Sequence, residues 1–229
     1  FDSNSGKVVV NYDTGTVKYA VGTVSGTSIS FENSQSIASG SQVGLCFDST
    51  ANKIIFAYRA TSGGAGTAQV LQVASTNSGD FLGIADAAIS NAASGKITMK
   101  GGVATNSQLL PQTYSASLGS EAMFLSNRRI EDTAVTYDTT NDKVIVAYSD
   151  PDSGSGVGMA AVGTVSGTSI SWGTPVQFSS SRPYYIGAAF EATEGKVVLA
   201  YRDSGNSNYG YSVVGTVSGT SISFGTPVE

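Results

Sequence analysis

The sequence VGTVSGTSISF occupies Val21–Phe31, VGTVSGTSISW occupies Val162–Trp172, and VGTVSGTSISF returns at Val214–Phe224. Ten residues recur unchanged three times in a chain of 229. Each copy alternates apolar with small or polar residues around a Ser-Gly-Thr turn, the pattern of two antiparallel strands and their connection. The downstream SISFGTPV is broken by Gly225 and Pro227, which an outer strand tolerates because it can spare an N–H.

A second motif travels with the first. Phe1–Tyr12 reads FDSNSGKVVVNY, Phe47–Tyr58 reads FDSTANKIIFAY, Tyr137–Tyr148 reads YDTTNDKVIVAY, and Phe190–Tyr201 reads FEATEGKVVLAY. The four align without a gap: an aromatic, an acid, a short polar turn, a Lys, then an apolar run ending in Tyr. Asn4–Gly6, Ala51–Asn52, Asn141–Asp142 and Glu194–Gly195 supply residues that tolerate positive φ, so each copy predicts a hairpin. The Val- and Ile-rich run after the Lys predicts a strand buried on both faces. Stretches such as VGLCF, DTAVTY and IGAAF supply the hairpin's first strand. The acids Asp2, Asp48, Asp138 and Glu191 sit where a carboxylate can bond turn amides, a structural role.

One unit is therefore four strands in about 50 residues, the size of a propeller blade. The expectation is an all-β, β-propeller-like array of about four four-stranded units. The first lacks most of its first strand; the second has AQVLQVAS where the others carry the signature. Lys7, Lys53, Lys143 and Lys196 mark the spacing, and Lys53 to Lys143 is too long by almost a unit. Residues 79–125 are read as a small, Gly-rich inserted β module, with ADAAISNAA open to a short helix, and 1–78 with 126–229 as the repeat domain. Such units bury each other's faces, which one alone cannot do. They either close into a ring, SISFGTPVE pairing beside FDSNSGKVVV, or form a section of a longer array. The opening in mid-repeat suggests a fragment or a processed chain.

Composition narrows the function. Charged residues make up only 13% of the chain, about half the usual share, and Ser, Thr and Gly fill the gap. With net charge −5 and no basic stripe, nucleic acid is not an expected partner. No apolar run has the roughly 18–20 residues of a membrane-spanning helix, so no membrane is expected. There is no His, which removes the commonest general base and metal ligand. Cys46 is the single Cys; within VGLCF it reads as a small packed hydrophobe. No GxSxG elbow, P-loop or GxGxxG is present, so no residue is assigned as catalytic.

Residues that vary between otherwise repeated units are the better candidates for recognition. They lie in the loops after each Tyr: DTGTVK at Asp13–Lys18, RATSGGAG at Arg59–Gly66, SDPDSGSG at Ser149–Gly156 and RDSGNSNYG at Arg202–Gly210. All emerge on one side of the array, where loops on a rigid scaffold carry function. Arg59 and Arg202 hold equivalent positions; Asp150, Asp152, Asp203 and Tyr209 share the loops. Arg forks onto carboxylates and Tyr stacks on a sugar face, so these six are the ligand-binding candidates, and Arg59, Arg182 and Arg202 together suit an acidic sugar. The Asp-rich loops also offer hard oxygen ligands for Ca²⁺, but without the spacing of a known calcium loop. No metal or cofactor is expected.

The repeat FDSxxxKVVVAY…VGTVSGTSISFGTPV, best seen at Tyr137–Val176 and Phe190–Val228, resembles the tandem repeats of tail-fibre and other virion proteins of marine phages. FLGIA at Phe81–Ala85, GGVATNSQLL at Gly101–Leu110 and Thr113–Tyr114 resemble a small β module that accompanies those repeats, usually C-terminally and here in mid-chain. SISWGTPV is distantly similar to the Asp-box turn of sialidase-type propellers but lacks its Asp. The resemblance implies a non-enzymatic virion structural or receptor-binding protein located on the virion or outside cells. Its implied partners are other virion proteins, copies of itself in a homo-oligomer, and a host surface glycan or protein. The alternative is a secreted carbohydrate-binding or sialidase-like propeller.

Overall fold

The computed structural model describes residues 1, 6–61, 63–76, 84–85, 97–98 and 113–229. Asp2, Asn4 and the segment read as an optional helix, save Ala85, lie outside them. Within the described residues the chain is all-β, with no helix. The fold divides into two compact units, Phe1–Gln72 with Ser117–Glu229, and Val73–Ala116.

In chain order the strands of the first half are β1 (Val8–Asp13), β2 (Thr16–Ser25), β3 (Ser28–Phe31), β4 (Gln35–Asp48), β5 (Lys53–Ala60) and β6 (Gly66–Thr76). The short β7 (Ile84–Ala85) and β8 (Ile97–Thr98) pair with each other, Ile84 opposite Thr98. Then come β9 (Thr113–Leu118), β10 (Ala122–Leu125), β11 (Glu131–Asp138), β12 (Lys143–Asp150), β13 (Val157–Ser166), β14 (Ser169–Trp172) and β15 (Val176–Ser179). The last four are β16 (Pro183–Glu191), β17 (Lys196–Asp203), β18 (Gly210–Ser218) and β19 (Ser221–Phe224).

Each quoted motif forms the hairpin its residues dictate. In β13–β14 Val165 pairs with Ile170 across the Ser-Gly-Thr turn; Val217–Ile222 and Val24–Ile29 repeat the register. The tight turn exists because its Gly takes φ of +59° in all three copies, a region costly for other residues. Gly163 has a second reason to be Gly. A Cβ there would come within 2.8 Å of Ile170 and 2.7 Å of Trp172, side chains that fold across the strand onto its face.

The hairpin after the aromatic-acid pair also closes as its residues require. Asp138 Oδ1 accepts the amides of Thr140 and Asn141, both at 2.9 Å. Asp48 Oδ1 accepts those of Thr50 (2.9 Å) and Ala51 (2.8 Å), and Glu191 those of Thr193 and Glu194. The residue before Lys has φ of +54° at Asn52, +56° at Asp142 and +64° at Gly195.

The second repeat lacks the signature because a long segment between β6 and β9 stands where the others turn tightly. β9 and β10 both pair with β6. Residues 117–125, grouped with the insert on sequence grounds, supply β10 and the buried Phe124, packed 5.2 Å from Tyr148 and 5.3 Å from Trp172 between ring centroids.

Strands β1 to β6 with β9 and β10 form one sheet, β11–β15 a second, and β16–β19 a third. The long β4 joins two repeats, its first half pairing β2 and its second half β5. These layers pack face to face. One core joins Cys46, Ile55, Ala57, Ala68 and Val70 to Val144, Val146, Tyr148, Ala161 and Ile170. The next joins Ile145, Ala147, Ala160 and Val162 to Val197, Leu199, Tyr201, Val213 and Ile222.

Position in the stack decides burial. β5 and β12, covered on both faces, are almost wholly buried, whereas β1 buries only Val9 and β17 alternates, although the sequences are similar. Of the signature residues expected inside, Ile170, Val217 and Ile222 are buried and Val165 is part-buried, but Val24, Ile29 and Phe31 are about half exposed. No described layer covers their face of the first sheet.

Candidate functional site

The first strands β4, β11 and β16 run beside one another, close enough that a Cβ on Gly44 would sit 3.0 Å from Val135. Each carries a β-bulge at the same place, five residues before its aromatic. The register shifts between Ser41 and Gly44, between Glu131 and Ala134, and between Tyr184 and Gly187. The bulged residues Gln42, Asp132 and Tyr185 have φ of +56°, +44° and +54°. Positive φ is uncommon outside Gly and a marked outlier for a bulky side chain such as Tyr. Bulges of this kind re-aim neighbouring side chains. Here they bring three non-repeated residues to one edge, where the Asp132 amide donates to Gln42 Oε1 at 3.2 Å.

On that edge the arginines gather. Glu131 pairs with Arg59 at 3.9 Å, with Arg129 at 3.4 Å, and with Arg182. Arg129 also reaches Asp152 Oδ1 at 3.8 Å, and its amide donates to Asp152 Oδ2 at 2.8 Å. Arg128 pairs with the buried Asp150 at 3.1 Å. Burial pushes the Asp150 carboxyl above its ordinary pKa, while the Arg128 guanidinium pulls it back. Arg182 and Arg202 both lie over the Tyr184 ring, 4.8 Å from its centroid, and Arg202 stands 4.9 Å from that of Tyr185. These five are every Arg in the chain. The Lys residues of the repeat, Lys7, Lys53, Lys143 and Lys196, sit at the opposite end of the same strands.

Two surfaces flank the network. An open groove of about 550 Å³ is floored by Gly40, Gly63 and Gly64 and walled by Arg59 and Arg129. The other is the aromatic shelf of Tyr184 and Tyr185, with the Tyr185 side chain 74% exposed. The Nε atoms of Arg182 and Arg202 are buried without a hydrogen-bond partner among the described residues. Arg59, Arg128, Arg129, Arg182 and Arg202 are matched by Glu131, Asp132, Asp150, Asp152 and Asp203 on the same edge. The site is thus densely polar but close to neutral. Such a surface suits hydroxyl hydrogen bonding and ring stacking better than capture of a polyanion.

No known family, curated protein or solved structure matches this chain.

Of the six residues singled out in the sequence, Arg59, Asp150, Asp152 and Arg202 belong to this network. Asp203 braces it from one side, accepting from the Ser181 hydroxyl and from the Gly205 amide at 2.8 Å. Tyr209 stays with its own hairpin: its carbonyl accepts the Asp203 amide at 2.9 Å and its amide donates to the Asn206 carbonyl at 3.0 Å. Sequence reading overlooked Arg128, Arg129, Glu131, Tyr184 and Tyr185. Their signal was the repeat alignment itself. Arg129 and Arg182 stand eight residues before equivalent aromatics, and Glu131 and Tyr184 stand six before them, at positions where repeats that agree elsewhere diverge.

Proposed function

We propose that this chain is a non-enzymatic, receptor-binding structural protein of a virion, such as a tail-fibre component. In this reading it is a β-propeller-like array whose variable edge engages a cell-surface glycan. The first strands of successive units line the axis of the array, and the bulges set the recognition residues around one end of it. The observation that carries the reading is the convergence of all five arginines, with Tyr184 and Tyr185, on one edge of a scaffold that is otherwise repeated. A sugar ring stacks on Tyr185, and its hydroxyls bond the arginine and carboxylate groups beside the groove. Several copies on a fibre would multiply a weak single-site affinity.

The convergence of Arg59, Arg129 and Arg182 on Glu131 favours one second reading, a secreted carbohydrate-binding or sialidase-like propeller acting through the same edge. One experiment tests both: glycan-array binding of the purified chain beside Arg59→Ala and Tyr185→Ala, with turnover of labelled versions of each retained glycan. Binding that both variants lose, without turnover, is the expected result. Absence of any retained glycan overturns the glycan reading. Hydrolysis abolished by Arg59→Ala overturns the non-enzymatic one.

A further inference from the structure

The two outer faces of the described stack are halves of an interface that recurs between its layers. In each internal interface one sheet contributes a bulky face. For the second sheet this face is Val144, Val146, Tyr148, Ala161, Ile170 and Trp172; for the third it is Val197, Leu199, Tyr201, Val213, Ile222 and Phe224. The preceding sheet contributes a shallower receiving face: Cys46, Ile55, Ala57, Ala68 and Val70, then Ile145, Ala147, Ala160 and Val162. The Ile of the bulky face is 7% exposed at Ile170 and 3% at Ile222.

At the free ends both halves are present and partly open, Ala20 alone being buried, at 7% exposure. The first sheet carries the bulky set at the equivalent positions Val8, Val10, Tyr12, Ala20, Ile29 and Phe31. Ile29 is 46% exposed and Phe31 48%. The third sheet carries the receiving set at Ala189, Val198, Ala200, Ser212 and Val214, with Val214 48% exposed. Exposed apolar patches of this kind mark association surfaces. The register of each set is fixed by the same strand pairing as in the buried interfaces.

We propose that the bulky face of the first sheet docks on the receiving face of the third sheet of a second copy of this chain. The contact is head-to-tail and continues the internal stacking. Being heterologous, it leaves one bulky and one receiving face free on every growing assembly, so it extends until it closes into a ring or runs on as a filament. The occupant follows from continuity with the two internal interfaces: each face meets, in another copy, the side-chain pattern it meets inside the molecule.

Sedimentation velocity across a dilution series, on the whole chain, tests this. Phe31→Arg spoils only the bulky face and Val214→Arg only the receiving face. Val24→Arg serves as a second bulky-face variant, and thermal melting confirms that each is folded. Wild type is expected to gain mass with concentration, and each single variant to remain a monomer. An equimolar mixture of Phe31→Arg and Val214→Arg should form a dimer and nothing larger, because one intact face of each kind remains. A wild type that stays monomeric throughout the series, association that survives both substitutions, or a mixture that forms no dimer would each overturn the proposal.

Discussion

Three copies of one hairpin invite the same substitution three times: Ile29→Ala, Ile170→Ala and Ile222→Ala. The local sequence is identical, so strand propensity and turn chemistry cancel, and only the neighbouring layer differs. Ile→Ala removes three carbons, worth about 0.8 kcal/mol each when fully buried, or about 2.4 kcal/mol. Ile170 is 7% exposed and Ile222 is 3% exposed, so both also leave a cavity, and the expected loss is about 3 kcal/mol. Ile29 is 46% exposed and opens onto solvent, so it loses about half the transfer energy and leaves no cavity, roughly 1 kcal/mol. Urea unfolding followed by circular dichroism at low protein concentration, where copies are separate, measures all three. Equal losses, or the largest at Ile29, would mean that burial between stacked layers does not stabilise these repeats.

Asp138→Ala strips the acceptor from two turn amides at a fully buried position and should cost about 2–3 kcal/mol, with a much smaller loss for Glu191→Ala on the exposed turn; urea midpoints decide it. Tyr185→Gly relieves a positive φ and should raise stability by about 1 kcal/mol while abolishing glycan retention, read by thermal melting beside the glycan array. Cys46 is buried, and burial raises its thiol pKa far above the ordinary range. It should therefore resist a thiol-labelling reagent in the native state and react at once in urea. Burial likewise raises the pKa of Tyr58, Tyr137 and Tyr148. Since these phenols ionise more readily unfolded, stability is intact below about pH 10 and falls as pH rises beyond it; ultraviolet titration should show their ionisation coinciding with alkaline unfolding.

The hairpins were legible in the sequence because their causes are local. Alternation around Ser-Gly-Thr sets two strands, and an acid three residues before an Asn or Ala at the turn sets a carboxylate under two amides. Burial was legible only in part, since Val24 and Val217 share one local sequence and differ in what lies above them. The end of the insert was obscure for the same reason: Phe124 belongs to the repeat core through Tyr148 and Trp172, contacts that no neighbour in sequence announces. Arg59 and Arg202 could be found because each follows the Tyr that ends a repeated run. Arg128, Arg129 and Glu131 stand before the aromatic-acid motif, where the repeats no longer agree, and only the pairing of β11 beside β4 and β16 brings them to this edge.

The two kinds of cation divide along the strands. Lys opens the second strand of every repeat, and its ammonium serves the repeat: Lys196 donates to Thr216 Oγ1 at 3.0 Å and Lys7 to Thr23 Oγ1 at 2.5 Å, each reaching the adjacent signature strand. In the third copy Lys143 donates instead to the Asp142 carbonyl at 3.1 Å. Arg never occupies those positions. It gathers near the bulges, where the paired positions change from Ser41–Arg59 to Glu131–Ser149 to Tyr184–Arg202. A planar fork is worth having where the partner's geometry is specific. A backbone held at φ of +54° under an exposed Tyr carries a cost in stability that stacking between layers does not require. All three bulges hold a non-Gly residue at positive φ, Gln42 and Asp132 as well as Tyr185, where Gly would cost less. In the proposed reading the strained aromatic is there to meet a ligand, and the layers behind it supply the rigidity that keeps it in place.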